Sequence, residues 1–140
     1  YHQFINKNEN SNRTFILDTN KKRINECKKK YIVCENDKQY IENKILILVD
    51  DSIVKGNTIK YLIDFIKTFN PLEIHFLISC PPIVNSCHYG VDFPDIEDLI
   101  AVKINHLELY KQLEINSLVY LSKKKLQNIS NNYCLECFNF

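Results

Sequence analysis

The chain has 140 residues and a mass of 16.6 kDa, enough for one hydrophobic core and too little for several domains. Hydrophobic residues make up 45% and charged residues 25%, as in an ordinary globular chain, and the formal net charge is +1. That balance gives no electrostatic ground for binding nucleic acid or an anionic membrane surface. The lysine runs at 21–22, 28–30 and 123–125 read as solvated faces. No apolar run reaches the ~18 residues of a bilayer span, and the start lacks a signal-peptide core, so a cytoplasmic protein is expected. Tyr1 in place of a start methionine suggests that the chain begins inside a longer protein. Glycine occurs only at 56 and 90, each expected where the backbone needs it.

In chain order, Asn6 to Asn12 reads as a flexible loop and Thr14 to Leu17 as a short strand. Asn20 to Lys30 suits a helix, with Asn20 as N-cap and lysines at the C-terminal end, where the helix dipole favours them. Tyr31 to Cys34 predicts a strand and Glu35 to Asn43 a loop. Lys44 to Val49 is a nearly continuous β-branched and leucine run, the pattern of a parallel strand buried on both faces. Thr58 to Phe69 carries Ile59, Leu62, Ile63, Ile66 and Phe69 at helical spacing, and Asn70-Pro71 stops it. Glu73 to Ser79 is a second strand, with apolar Ile74, Phe76, Leu77 and Ile78. Strand, helix and strand in about 35 residues predict a right-handed βαβ unit.

Cys80 to Pro94 reads as a long loop. Asp95 to Ala101 is predicted helical with Asp95 as cap, and His106 to Leu113 is a further helix. Ser117 to Leu121 is predicted as a strand, Ser122 to Ile129 as a last helix capped by Ser122, and Asn131 to Phe140 as an irregular tail. The fold class is α/β.

The chemistry concentrates at the junction of the first buried strand and its helix. Val49 is followed by Asp50, Asp51, Ser52, Ile53, Val54, Lys55, Gly56, Asn57 and Thr58. In an open α/β sheet this turn falls at the carboxyl edge, where ligands bind. A loop feeding a helix N-terminus offers convergent N–H groups to a phosphate, with Gly56 permitting close approach and Lys55 and Thr58 adding a cation and a hydroxyl. Asp50 and Asp51 suit ribose hydroxyls or a share of a Mg²⁺ shell. An acidic helix-capping turn without a ligand is the plainer alternative. Six cysteines without a secretory signal argue against a disulfide framework. Cys27, Cys34 and Cys80 read as ordinary thiols. Cys134 and Cys137 have a spacing shared by zinc and redox sites.

The run from Val49 to Thr58 resembles the phosphoribosylpyrophosphate-binding signature of type I phosphoribosyltransferases. Its Asp50-Asp51-Ser52-Ile53-Val54 form is similar to that of the glutamine phosphoribosylpyrophosphate amidotransferase family. That family usually carries Arg at the place of Lys55 and Thr at that of Asn57; lysine keeps the charge without the fork geometry. Lys7-Asn8 followed by Arg13-Thr14-Phe15-Ile16 resembles the family's flexible catalytic loop, with Glu9 and Asn10 in place of an Arg-Tyr pair. Arg23, Lys28 and Lys30, Pro81-Pro82-Ile83, Cys87 to Asp92, Asp98 to Ala101 and Ser117 to Ser122 resemble further segments in the same order.

The resemblance implies a parallel-sheet type I phosphoribosyltransferase-like fold, with residues 1–140 forming the C-terminal portion of that domain and a cysteine-bearing tail. It implies amidophosphoribosyltransferase chemistry, in which ammonia from a separate N-terminal glutaminase domain displaces pyrophosphate from phosphoribosylpyrophosphate, giving 5-phosphoribosylamine at the first step of purine synthesis. In that scheme Lys7 and Arg13 are catalytic-loop residues. Asp50, Asp51, Ser52, Lys55, Gly56, Asn57 and Thr58 bind substrate, and Asp50 and Asp51 share the Mg²⁺. Cys87, Cys134 and Cys137 match ligands of a [4Fe–4S] cluster whose fourth ligand lies outside this chain; a zinc site completed by His88 is the local alternative. A homo-oligomer is expected, and the isolated chain is not expected to make phosphoribosylamine from glutamine. Two competing expectations are a non-catalytic phosphoribosylpyrophosphate-binding module or decayed fragment, and a nucleobase-salvage phosphoribosyltransferase.

Overall fold

The computed structural model describes residues 6–7, 31–33, 35–87, 89, 95–129 and 133–138. The strand expected at 14–17, the helix at 20–30, Arg13, Arg23, Lys28, Lys30, Cys27, Cys34, His88 and Gly90 lie outside these residues. The chain divides into two compact units. The first comprises Tyr1–Leu46 and Asn57–Glu73, the second Ile47–Gly56 and Ile74–Phe140.

In the first unit β1 (Asn6–Lys7) pairs antiparallel with β2 (Tyr31–Ile32), Asn6 opposite Ile32 and Lys7 opposite Tyr31. The expected loop from Asn6 therefore begins as a strand. Glu35–Tyr40 is a 3₁₀ helix rather than a loop. Helix α1 spans Asn57–Lys67 and buries Ile59, Ile63, Phe65 and Ile66. Phe65, off the predicted stripe, is covered by Val33, Tyr61, Leu62 and Phe69, and meets the Phe69 ring edge-on at 5.2 Å. Past the helix Asn70 adopts a φ of +52°, and Pro71 blocks further helix. The returning chain is secured by Leu72 N–H donating to the Lys44 carbonyl (2.8 Å) and Asn43 N–H to that of Asn70 (3.0 Å).

Strand β3 (Ile45–Asp50), β4 (Glu73–Ile78) and β5 (Ser117–Tyr120) form a sheet in that order. The fold is parallel-sheet α/β, as expected. β4 and β5 run parallel, with Phe76 opposite Leu118 and Leu77 opposite Val119. Asn116 starts the ladder: its N–H donates to the Ile74 carbonyl (2.8 Å) and its side-chain oxygen accepts from Ile74 N–H (2.9 Å).

In the second unit Leu48, Ile74, Phe76, Ile78 and Leu118 are buried on one sheet face. They are joined in the core by Leu99, Leu109, Leu113 and Ile115. The opposite face is apolar but open: Ile47, Val49 and Val119 are each more than half exposed, and Leu77 is 37% exposed. This corrects the expectation of a β3 buried on both faces. A strand with apolar residues at every position reads alike whether its second face is covered or not, and here that face stays largely open, with Lys125 beside Val49, Leu77 and Val119.

The remaining elements are α2 (Ile100–Lys103), α3 (His106–Gln112) and α4 (Lys123–Ile129). Asn105 caps α3, its side-chain oxygen accepting from Glu108 N–H at 2.9 Å. Ser122 Oγ accepts from Lys125 N–H at 3.3 Å at the start of α4. The helix expected over 95–101 is instead a 3₁₀ turn, Ile96–Asp98, then α2, broken at Leu99, whose backbone is extended and whose side chain is fully buried. The tail contains another 3₁₀ turn, Glu136–Phe138, where no regular structure was expected. Among the described residues no helix is long and apolar enough to cross a membrane.

Truncating Phe76, 1% exposed, to alanine is expected to cost about 3–5 kcal/mol in urea unfolding. Val119→Ser, on the open face, should change stability by less than about 1 kcal/mol. Equal effects would contradict the assignment of the core to one face of the sheet.

Candidate functional site

β3 delivers Asp50 to the carboxyl edge of the sheet, and the neighbouring strand fixes it there. Ser79 N–H donates to the Asp50 carbonyl at 3.0 Å, and Ser79 Oγ to the same oxygen at 3.3 Å. The Asp50 carboxylate turns onto the next peptide, its Oδ1 accepting from Asp51 N–H at 2.9 Å. Asp51 Oδ1 accepts from Ser52 Oγ at 3.4 Å. Both aspartates are exposed, so two carboxylates stand at the mouth of the turn in contact with solvent.

The rest of the turn is pinned from below and from the side. Ile53 is 4% exposed and anchors the loop in the core. Ile100 N–H donates to the Val54 carbonyl at 2.8 Å. As the first residue of α2, Ile100 has an amide with no partner inside its helix, and the turn supplies one. Lys55 Nζ meets Asp98 Oδ2 at 2.6 Å, and Lys103 Nζ meets the other Asp98 oxygen at 3.5 Å. The Lys55 hydrogen bond and charge, with a smaller contribution from Lys103, hold the Asp98 carboxyl below the usual carboxylate range. Gly56 has a φ of +78°, and a β-carbon there would stand 3.1 Å from Ile100 Cγ1. Both the left-handed backbone and the crowding select glycine. Asn57 and Thr58, exposed, are the first residues of α1 in the other unit.

Sequence reasoning missed two neighbours of this turn. Cys80, taken as an ordinary thiol, follows β4 beside the acidic pair; burial first, then the charges of Asp51, Cys137 and Asp50, push its thiol up to about 11. Tyr120, ending β5, is pushed up to about 12 by burial and by Cys80. The ends of three adjacent strands thus gather at one edge, which the strand order alone could have suggested. Asp98 lies 43 residues from Lys55, and no local spacing points to the pair. Lys7 sits in β1 in the first unit, and Arg13 lies outside the described residues.

The predicted cysteine centre lies where the tail meets the loop after β4. Val84 and Asn85 N–H groups both donate to the Cys137 carbonyl (2.8 and 3.1 Å), and Asn85 Nδ2 donates to the Glu136 carbonyl at 3.2 Å. The tail is therefore held to the loop after β4 by hydrogen bonds. Burial, with the nearby Cys87 and Cys134, pushes the Cys137 thiol up against the lowering effect of its own backbone hydrogen bond. Among the described residues no group of three or more His, Cys, Asp or Glu is arranged to hold a metal ion. Cys87 and Cys134 nevertheless both lie near enough to Cys137 for their charges to act on its thiol. The acidic pair does suit Mg²⁺, which takes one or two protein carboxylates and completes its shell with water and substrate phosphates.

Residues 4–97 match the family model for the phosphoribosyl transferase domain. The chain belongs to that family. It is 41% identical over 103 residues to the chloroplastic amidophosphoribosyltransferase of Vigna aconitifolia, a match covering 71% of this chain and 21% of that protein. It is 33% identical over 144 residues to the amidophosphoribosyltransferase of Synechocystis, covering 99% of this chain and 28% of that one. The solved glutamine phosphoribosylpyrophosphate amidotransferase from B. subtilis, complexed with ADP and GMP, superposes with a TM-score of 0.80 at 31% identity. That superposition covers 99% of this chain and 32% of the B. subtilis chain. This phosphoribosyl transferase domain chain thus spans less than a third of the length of each of these relatives.

Gly56→Ala is expected to cost about 1–2 kcal/mol, because the left-handed backbone penalises any β-carbon. Ile100→Ala, which relieves the crowding but not the left-handed backbone, should rescue it only in part in thermal melts. At pH 8 Cys80 should alkylate at least tenfold more slowly than the exposed Cys134 by mass spectrometry, since its raised thiol leaves about a hundredth of the ordinary thiolate. Comparable rates would contradict its burial beside the carboxylates. Because the predicted cluster needs a fourth ligand from outside this chain, anaerobic purification of the 140-residue chain should yield less than stoichiometric iron and sulfide; a full complement of both would contradict that requirement.

Proposed function

We propose that this chain is the C-terminal portion of the phosphoribosyltransferase domain of an amidophosphoribosyltransferase. The observation that carries the reading is the acidic turn at the carboxyl edge of β3, with Lys55 and Gly56 leading into a helix N-terminus, in a chain similar to amidophosphoribosyltransferases over nearly its whole length. The substrate is phosphoribosylpyrophosphate. Asp50 and Asp51 accept hydrogen bonds from the ribose 2′- and 3′-hydroxyls. Lys55 and the amides from Gly56 into Asn57 and Thr58 receive the 5′-phosphate, with Ser52 beside them.

The reaction is displacement at C1. The nitrogen lone pair of ammonia forms the new C1–N bond as the C1–O bond breaks. Pyrophosphate leaves with the bonding electrons, and the added nitrogen then loses a proton. The carbon passes through an oxocarbenium-like state, so catalysis rests on holding the sugar, compensating the departing charge and excluding water. Bound Mg²⁺, held in part by Asp50 and Asp51, would supply charge compensation for the pyrophosphate. Lys7 and Arg13 belong to the loop proposed to approach that group. Ammonia comes from glutamine through a glutaminase domain of the whole protein, and the whole protein is a homo-oligomer in the cytoplasm. An iron–sulfur cluster is proposed only for a polypeptide that supplies ligands beyond Cys87, Cys134 and Cys137.

A second reading has a specific observation in its favour. Lys55 already carries a counter-charge from Asp98, as suits a module that binds phosphoribosyl ligands weakly without turnover. Assay of the whole protein with free ammonia separates the two, since only the enzyme makes phosphoribosylamine. For the proposed site itself, Asp50→Asn with Asp51→Asn should weaken magnesium-dependent phosphoribosylpyrophosphate binding by calorimetry at least tenfold while the melting transition is kept. Unchanged affinity would refute the assignment of the turn.

A further inference from the structure

Beyond supplying a cation, the turn is built with a competitor for it. Lys55 is held at 2.6 Å by Asp98, a carboxylate from a separate segment, and Asp98 has a second cation in reach, Lys103 at 3.5 Å. The three groups are each roughly half exposed, so the pair can open without leaving a buried charge unpaired. The segment bearing Asp98 is itself fixed to the turn. Leu99 is fully buried, Ile100 N–H holds the Val54 carbonyl, and the Ile100 side chain packs against Gly56. Asp98 is therefore placed by a rigid support, whereas the Lys55 and Lys103 side chains are long and rotatable.

We propose that Asp98 is a positioning residue that occupies the Lys55 ammonium in the ligand-free chain and yields it to the incoming phosphoryl group, keeping Lys103 as its own counter-ion. This inference rests on the reading of the turn as a phosphate site. It adds that the affinity of the turn for an anionic ligand is set by exchange of Lys55 between two anions, one of them built in. The internal carboxylate keeps the lysine oriented at the turn and weakens retention of phosphate-bearing molecules, a combination suited to a site that must release product.

The test uses the full 140-residue chain and ribose 5-phosphate, followed by NMR titration at low and at physiological ionic strength. Asp98→Asn removes the competing charge and is expected to tighten binding about two- to fivefold at low salt, the range of an exposed ion pair. The gain should shrink as salt screens the charges. Asp98→Glu, which restores the carboxylate, should return affinity towards that of the parent. In a Lys55→Gln background Asp98→Asn should give no gain. Asp98→Ser is titrated in parallel, with thermal melts, so that a folding defect peculiar to one variant is recognised. Equal or weaker binding in both Asp98→Asn and Asp98→Ser overturns the inference, as does a gain that persists without Lys55. Failure of the parent chain to bind ribose 5-phosphate at all overturns the reading of the turn, and the inference with it.

Discussion

The arrangement depends on where the backbone of β3 is released from the sheet. The Asp50 carbonyl is still held by Ser79, the residue just past β4, and the next peptide already folds back onto the Asp50 carboxylate. A carbonyl left without a partner at a sheet edge is costly, so this bond fixes the depth at which the chain turns. Everything chemical follows from that depth. Two carboxylates face solvent at the mouth, Ile53 drops into the core, and the chain reaches Gly56 with the backbone sign that only glycine accepts readily.

The break at Leu99 plays the complementary part. A continuous helix over 95–101 would have bonded the Ile100 amide to its own preceding turn. By going extended, Leu99 buries its side chain and frees that amide to close onto Val54. The same geometry brings Asp98 to Lys55 and Ile100 to Gly56. One irregular residue thus couples core packing to the shape and charge of the turn.

Much of this was legible in the chain. The order of apolar run, acidic pair, glycine and amphipathic helix predicted strand, turn and helix because each element has its own periodicity and the turn chemistry fits between them. The α1 stripe was read correctly at Ile59, Ile63 and Ile66, while Phe65 was not, since its cover comes from neighbours off the stripe. The continuous run in β3 carried no information about its second face. Lys55–Asp98 was invisible because an ion pair between segments 43 residues apart leaves no local spacing. The cysteine spacing carried no sign that the Cys137 carbonyl fastens the tail, because a backbone hydrogen bond between distant segments leaves no mark on the pattern of thiols.

The central claim is that the turn from Asp51 to Thr58 is where a phosphorylated sugar rests. Amide-resolved NMR of the labelled chain, titrated with phosphoribosylpyrophosphate and magnesium, tests it most directly. The account predicts that the largest shifts fall on the amides of residues 51–58, with those of α3 and α4 nearly unmoved. Shifts concentrated elsewhere, or none at saturating ligand, would contradict it.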